Sequence, residues 1–201
     1  MKWFRRTPLE AVRWVVIDCE TSGLDMHRDR LLSVGAVAVR AGSVELADTF
    51  SAVVRQAEAS APENMLIHGL GRDAQLSGRP LSEVVEDLAA YVRDGVPVGF
   101  HAAFDATILR RHGLRLGRTW LDLATLAPIL FPEQAPRQSS LDHWLRAFGI
   151  PAQGRHDALG DAFAAAQLLL VVLAQARRHG VKTLEALART ARAGRWLAPG
   201  G

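Results

Sequence analysis

The tightest constraint on the fold of this 201-residue chain is a change of hydrophobic period partway along it. The N-terminal part reads as strands: Trp14 to Cys19, Leu31 to Val39 and Val44 to Val54, with Ala41-Gly42-Ser43 as the turn between the last two. Three strands on short connections predict an antiparallel meander. From Pro80 the period becomes helical. Leu81, Val84, Val85, Leu88, Tyr91 and Val92 recur at helical spacing, Pro80 suits a first turn, and Gly95 lies just past the end. Val96 to Phe100 predicts a short buried strand, Phe104 to His112 a helix, Thr119 to Asp122 a strand and Leu123 to Leu130 a helix. Ser139-Ser140-Leu141-Asp142 resembles a capping box opening a short helix that stops at Gly149. A long helix follows over Asp157 to His179, then an amphipathic one over Thr183 to Arg192 and a Gly/Pro tail. Ala57 to Arg79, richer in Gly, Pro and polar residues, is expected to be mostly loop. Strands first, then alternating helices and strands, predict one α/β domain with a mixed sheet flanked by helices.

Composition narrows the function classes. A hydrophobic fraction of 49% describes a globular chain. The longest apolar stretch, Ala162 to Ala176, is interrupted by Gln167 and Gln175 and falls short of the ~20 residues of a membrane span. It is expected to be a buried helix, with no membrane partner. No secretory signal is visible. Cys19 is the only cysteine, which excludes an internal disulfide and a thiolate zinc site and fits a cytoplasmic setting. Lys2 and Lys182 are the only lysines behind a net charge of +3, so basic character rests on arginine, the residue that grips phosphate bidentately. Charge permits a nucleic-acid partner without demanding one. The repeated Arg-Arg-His-Gly at Arg110 and Arg177 reads as two cationic helix ends with a following glycine, not as a site.

Chemistry concentrates in three segments. In Val16-Ile17-Asp18-Cys19-Glu20 the period of two turns Asp18 and Glu20 to one side of a strand, with Ile17 and Cys19 on the other. Two carboxylates so placed repel unless a cation lies between them, and oxygen ligands suit Mg²⁺ or Mn²⁺. In Gly99-Phe100-His101-Ala102-Ala103-Phe104-Asp105 a buried strand gives way to a helix, the place where α/β sheets bind ligands. In His156-Asp157-Ala158-Leu159-Gly160-Asp161, a continuous helix would put His156 and Asp161 roughly 140° apart. They converge only if His156 precedes the helix and Asp161 lies one turn in.

Together these segments resemble the DEDDh family of 3′→5′ exonucleases, typified by the proofreading subunit of bacterial replicative DNA polymerase. Asp18, Glu20, Asp105, His156 and Asp161 match the five residues that name the family, and the likeness runs from about Trp14 to Ala176. Softer matches are Leu32-Ser33-Val34-Gly35-Ala36, Ile67-His68-Gly69-Leu70, Leu121-Asp122 and Ser140-Leu141-Asp142. The resemblance implies a ribonuclease-H-like fold with a mixed five-stranded sheet. It makes residues 1–201 one exonuclease domain, with a catalytic core of about 14–179, a basic segment 1–13 and a C-terminal helix and tail 180–201. It also implies two Mg²⁺ or Mn²⁺ ions: Asp18 bridging both, Glu20 and Asp161 on the first, and Asp105 holding the second through water. His156 would be the general base, since imidazole titrates near ~6.5. Thr21, Leu24, His68 and Phe104 match positions that hold or wedge the terminal nucleotides. Ala102 departs from the family, many of whose members carry Asn after the histidine of that motif.

The expected substrates are therefore 3′ ends of single-stranded DNA, in proofreading or repair, with a DNA polymerase subunit as an expected partner. A ribonuclease of the same fold acting on RNA ends is the nearest alternative, because no residue here identifies a 2′-hydroxyl contact. A nucleic-acid-binding module with a dead site would have lost one of the five residues. A purely structural fold would bury carboxylates at a cost.

Overall fold

In a computed structural model, residues 7–114, 116, 119–151 and 156–195 are described; the basic start before Thr7 and the Gly/Pro tail after Arg195 lie outside them. The meander forms as expected from β1 (Trp14–Thr21), β2 (Leu31–Arg40) and β3 (Ser43–Val53). Each pairs antiparallel with the next, and Ala41 and Gly42 take the positive-φ conformations of the turn between β2 and β3.

Residues 57–79 are not mostly loop. They contain α1 (Pro62–His68) and α2 (Arg72–Ser77). Helices of 7 and 6 residues are too short to show a hydrophobic period or to stand alone, and neither has a side-chain N-cap. Tertiary hydrogen bonds hold them. Then come α3 (Leu81–Val92), β4 (Val96–Gly99), α4 (Ala102–Arg111), β5 (Leu121–Asp122), α5 (Leu123–Leu130), α6 (Leu141–Ala147), α7 (Ala158–Arg178) and α8 (Leu184–Arg195). β4 and β5 add in parallel to the meander, giving the sheet order β3-β2-β1-β4-β5.

Several boundaries shift for local reasons. Pro80 sits just before α3, its carbonyl accepting from the Val84 amide at 3.1 Å. At α6 the cap is Ser140, whose Oγ accepts from the His143 amide at 3.2 Å. Ser139 Oγ instead accepts from Trp144 Nε1 at 2.9 Å, so the expected capping box is not made. Both Arg-Arg-His-Gly copies end helices, with Gly113 and Gly180 at φ 96° and 77°.

The alternation along β1 divides two cores. Trp14 and Val16 face α5, α6, α7 and α8, while Val15, Ile17 and Cys19 face α3 and α4. Although long and apolar enough by composition to cross a membrane, α7 carries its Leu168, Leu169, Val172 and Leu173 into the first of these cores. The segments flanking the expected catalytic core also join it. Leu9 and Val12 are buried there with Leu184 and Leu187, and the Leu9 amide donates to the Lys182 carbonyl at 3.1 Å.

Candidate active site

The period of two that faces Asp18 and Glu20 together places both beneath the first turn of α7, which carries Asp161. One carboxylate oxygen from each of the three lies within 4.8 Å of the others. Asp161 is buried and the other two are half-buried. The packing has a specific cause. Gly35 stands opposite Asp18 in the β1–β2 ladder, and a Cβ built there would lie 2.3 Å from the Ala158 carbonyl carbon and the Leu159 nitrogen. Only a glycine lets the helix backbone rest on the strand at this point.

Three oxygen donors converging this closely fit a hard divalent cation, since carboxylates at this spacing repel when nothing lies between them. Ser33, directly opposite Glu20 in the ladder, has a buried Oγ without a hydrogen-bond partner among the described residues. Side chains of directly opposed residues share a face, so this hydroxyl belongs to the carboxylate side of the sheet.

Asp105 lies outside this group of three. It stands in the first turn of α4, the helix that packs on the Cys19 side of β1, and lies close to the Cys19 thiol. Burial pushes the Asp105 carboxyl up to about 7, against the pull of that thiol and of the backbone amides of Asp105 and Cys19. Cys19 is buried as expected, and burial followed by the nearby Asp105 and Asp18 charges drives its thiol well above the ordinary range.

His156 precedes α7 and Asp161 lies one turn in, the arrangement their spacing requires. His156 takes a left-handed conformation at φ 64°, a sparsely populated one for a non-glycine residue, and its amide donates to Asp161 Oδ2 at 3.2 Å. Asp157 caps the helix, accepting from the Gly160 amide at 2.9 Å. A second left-handed residue, His101 at φ 58°, precedes α4, and its Nε2 donates to the Ser139 carbonyl at 3.0 Å. Asp122 holds the same junction, accepting from the amides of Ala102 at 3.3 Å and Ala124 at 3.1 Å. Ala102 itself is buried.

Glu20 and His156 open onto a cleft of about 320 Å³, which Thr21, Leu24, His68 and Phe104 also line. All four expected nucleotide contacts thus lie together, in different circumstances. Leu24 is 90% exposed at the mouth, and Phe104 packs partly into the second core. Thr21 donates its hydroxyl to the Gly23 carbonyl at 2.6 Å. His68 is buried with both ring nitrogens engaged: Nδ1 accepts from the Leu70 amide at 3.1 Å, and Nε2 donates to Ser60 Oγ at 3.2 Å. Asn64 and Ile67 also line the wall; Ile67 lies in the Ile67-His68-Gly69-Leu70 match but was given no role from sequence, and Asn64 was not found. Their place on one wall becomes visible only once α1 is known to exist.

A sequence model described as exonuclease, of the RNase T type, matches residues 15–169. The chain is 29% identical over 188 residues to a DNA polymerase III subunit epsilon-like protein of Rhodobacter capsulatus, a match covering 90% of this chain and 26% of the relative. It is 27% identical over 176 residues to the PolC-type DNA polymerase III of Thermotoga maritima, covering 85% of this chain and 12% of that one. The chain therefore spans a minor part of these curated relatives. Among solved structures, Exonuclease X in complex with 5′ overhanging duplex DNA superposes with a TM-score of 0.69 at 23% identity, covering 89% of this chain and 99% of that one. E. coli Exonuclease I in complex with a dT13 oligonucleotide gives 0.68 at 19% identity, covering 83% and 42%. These likenesses establish a shared fold. With the family match spanning most of the chain, the protein belongs to the exonuclease family of the RNase T type.

Proposed function

We propose that the protein is a metal-dependent 3′→5′ exonuclease that removes nucleoside 5′-monophosphates from single-stranded DNA ends. The observation that carries this reading is the convergence of Asp18, Glu20 and Asp161 oxygens within 4.8 Å, beside a cleft that also holds His156. Two divalent ions, on Asp18, Glu20 and Asp161 and through water on Asp105, would supply the clamp on attacking and leaving oxygens that phosphodiester hydrolysis needs. His156 takes the proton of the attacking water, its backbone fixed through Asp161. The water oxygen bonds to the terminal phosphorus, the bond to the penultimate 3′-oxygen breaks, and that oxygen regains a proton. Leu24, Ile67 and Phe104 offer apolar contacts, which accept any base.

The DNA complexes among the structural neighbours support DNA over RNA, and the polymerase III names of the relatives support a role in proofreading or repair beside a polymerase subunit. The test is digestion of matched 5′-labelled single-stranded DNA and RNA with Mg²⁺. A descending ladder from the DNA, abolished by EDTA, is the expected result. Preferential loss of the RNA would make the protein an exoribonuclease, and cleavage of a closed circular strand would make it an endonuclease.

A further inference from the structure

Between the sheet and the cleft lies a polar chain that the proposed chemistry does not use. Gln75, on α2, has no exposed surface. Its Oε1 accepts from the Ser60 amide at 2.8 Å, and its Nε2 donates to Ser60 Oγ at 3.0 Å and to the Leu70 carbonyl at 2.8 Å. All the hydrogen-bonding capacity of the amide nitrogen is therefore directed at the two ends of α1: Ser60 lies just before it and Leu70 just after. The His68 ring spans the same two residues, from Ser60 Oγ to the Leu70 amide. Because a backbone N–H faces Nδ1, that nitrogen must accept, and the ring proton of the neutral imidazole is on Nε2.

The chain continues in both directions. Toward the sheet, the Gln56 amide donates to the Gln75 carbonyl at 2.8 Å, and Gln56 Nε2 donates to the Leu31 and Val54 carbonyls at 2.9 and 3.0 Å. Toward the opposite wall of the cleft, Asn64 of α1 donates its side-chain amide to the Ser22 carbonyl, next to the Thr21–Leu24 turn. A seven-residue helix without a side-chain cap has no stability of its own, so its position is whatever these bonds dictate.

We infer that Gln75 is a positioning residue for substrate: through Ser60 and His68 it fixes where α1 holds Asn64 and Ile67 across the cleft from Leu24. This rests on the cleft being the nuclease site. Gln75 touches none of the carboxylates, so its loss alters the grip on the strand and leaves the hydrolytic step alone.

The test compares wild type with Gln75→Met, which keeps the side-chain length and removes every polar contact. On a 5′-labelled single-stranded oligodeoxynucleotide with Mg²⁺, KM rises by about tenfold, the factor that one hydrogen-bonded contact is worth, while kcat stays within about twofold. In parallel, ¹⁵N-resolved NMR of the imidazole shows the Nε2–H tautomer of His68 in wild type and a mixture of forms in the variant. A folded variant with unchanged KM, or with kcat falling as KM holds, overturns the inference. So does an unchanged His68 signature. Should Gln75→Met not fold, Ser60→Ala removes the hydroxyl that takes bonds from both Gln75 and His68 and is read for the same KM rise and tautomer loss. If wild type itself fails to shorten the strand, the nuclease reading fails separately, and the His68 signature still decides whether Gln75 sets α1.

Discussion

Replacing Gly35 by alanine tests whether the carboxylate cluster depends on the seat of α7. The added Cβ would lie 2.3 Å from the Ala158 carbonyl carbon and the Leu159 nitrogen, about 1.1 Å inside the 3.4 Å at which ordinary contact begins. Both atoms are backbone, so no side chain can turn away, and the first turn of α7 must retreat by about that distance. That turn carries Asp161 and is entered from His156. Overpacking of this kind costs about 1–3 kcal/mol, and for a chain of this size each kcal/mol lowers Tm by roughly 2–4 °C. Activity suffers more. A misplacement of about 1 Å in reacting groups is worth about 10²-fold in rate. Gly35→Ala is therefore expected to stay folded, to melt a few degrees lower, to lose about two orders of magnitude in kcat and to bind Mn²⁺ more weakly in calorimetry. KM should hold, because α1 and the Thr21–Leu24 turn are untouched. Gly42→Ala is the control: it strains a positive-φ turn at 79° with nothing within 4 Å of the new Cβ, so it should lower Tm without changing kcat. A folded Gly35→Ala protein with wild-type kcat and metal affinity would refute the claim that this contact places Asp161.

Asp18→Asn should abolish hydrolysis, melt at or above wild type in EDTA because repulsion in the cluster is relieved, and melt below it with Mg²⁺, where only wild type gains from bound metal; an active variant would remove Asp18 from the ligand set. His156→Ala should lower kcat by about 10²–10⁴-fold and flatten the acid limb of the pH profile while leaving Mn²⁺ affinity near wild type; joint loss of metal binding and activity would make His156 a ligand. Asp105, with its carboxyl raised from 3.8 to about 7, binds more protons folded than unfolded between those values. Its contribution in metal-free protein therefore weakens stability as pH rises through about 4 to 7, and Asp105→Asn should reduce that slope in thermal melts recorded in EDTA; an unchanged slope would assign it elsewhere. Ser33→Ala should stabilise by about 1 kcal/mol, since it removes a buried hydroxyl without a partner among the described residues; a lower Tm would mean that the hydroxyl is satisfied in solution.

What could be read in the sequence was whatever a local period or a cap encodes. Asp18 and Glu20 share a face because strands alternate, and Asp161 meets them because Asp157 starts the helix where its capping chemistry says it should. The mixed sheet followed from the switch of period at Pro80, and its ribonuclease-H-like, five-stranded form from the family resemblance. The failures are equally physical. Within 57–79 the helices are held by contacts that no local period encodes, with Gln75 fully buried among them. The placement of Asp105 beside Cys19, apart from the other three carboxylates, depends on which layer α4 occupies, a fact no strand period records. The role of Gly35 was likewise invisible: the motif was noticed, but the helix backbone that requires it lies more than a hundred residues away.

The pairing of Pro8 with Thr183, flanked by the bond from the Leu184 amide to the Thr7 carbonyl at 3.0 Å, ties the start of the described fold to the entry of its last helix, α8. In topological terms the domain is a closed loop with its two leads tied together at the neck. Such an object can be grafted into a host polypeptide at a single surface position without prising the host apart, and its own ends can be joined and reopened elsewhere. A circular permutant that links residue 195 to residue 7 through a linker long enough to run back along α8, about 18 Å, and opens at the Ala41-Gly42 turn keeps all five strands in place.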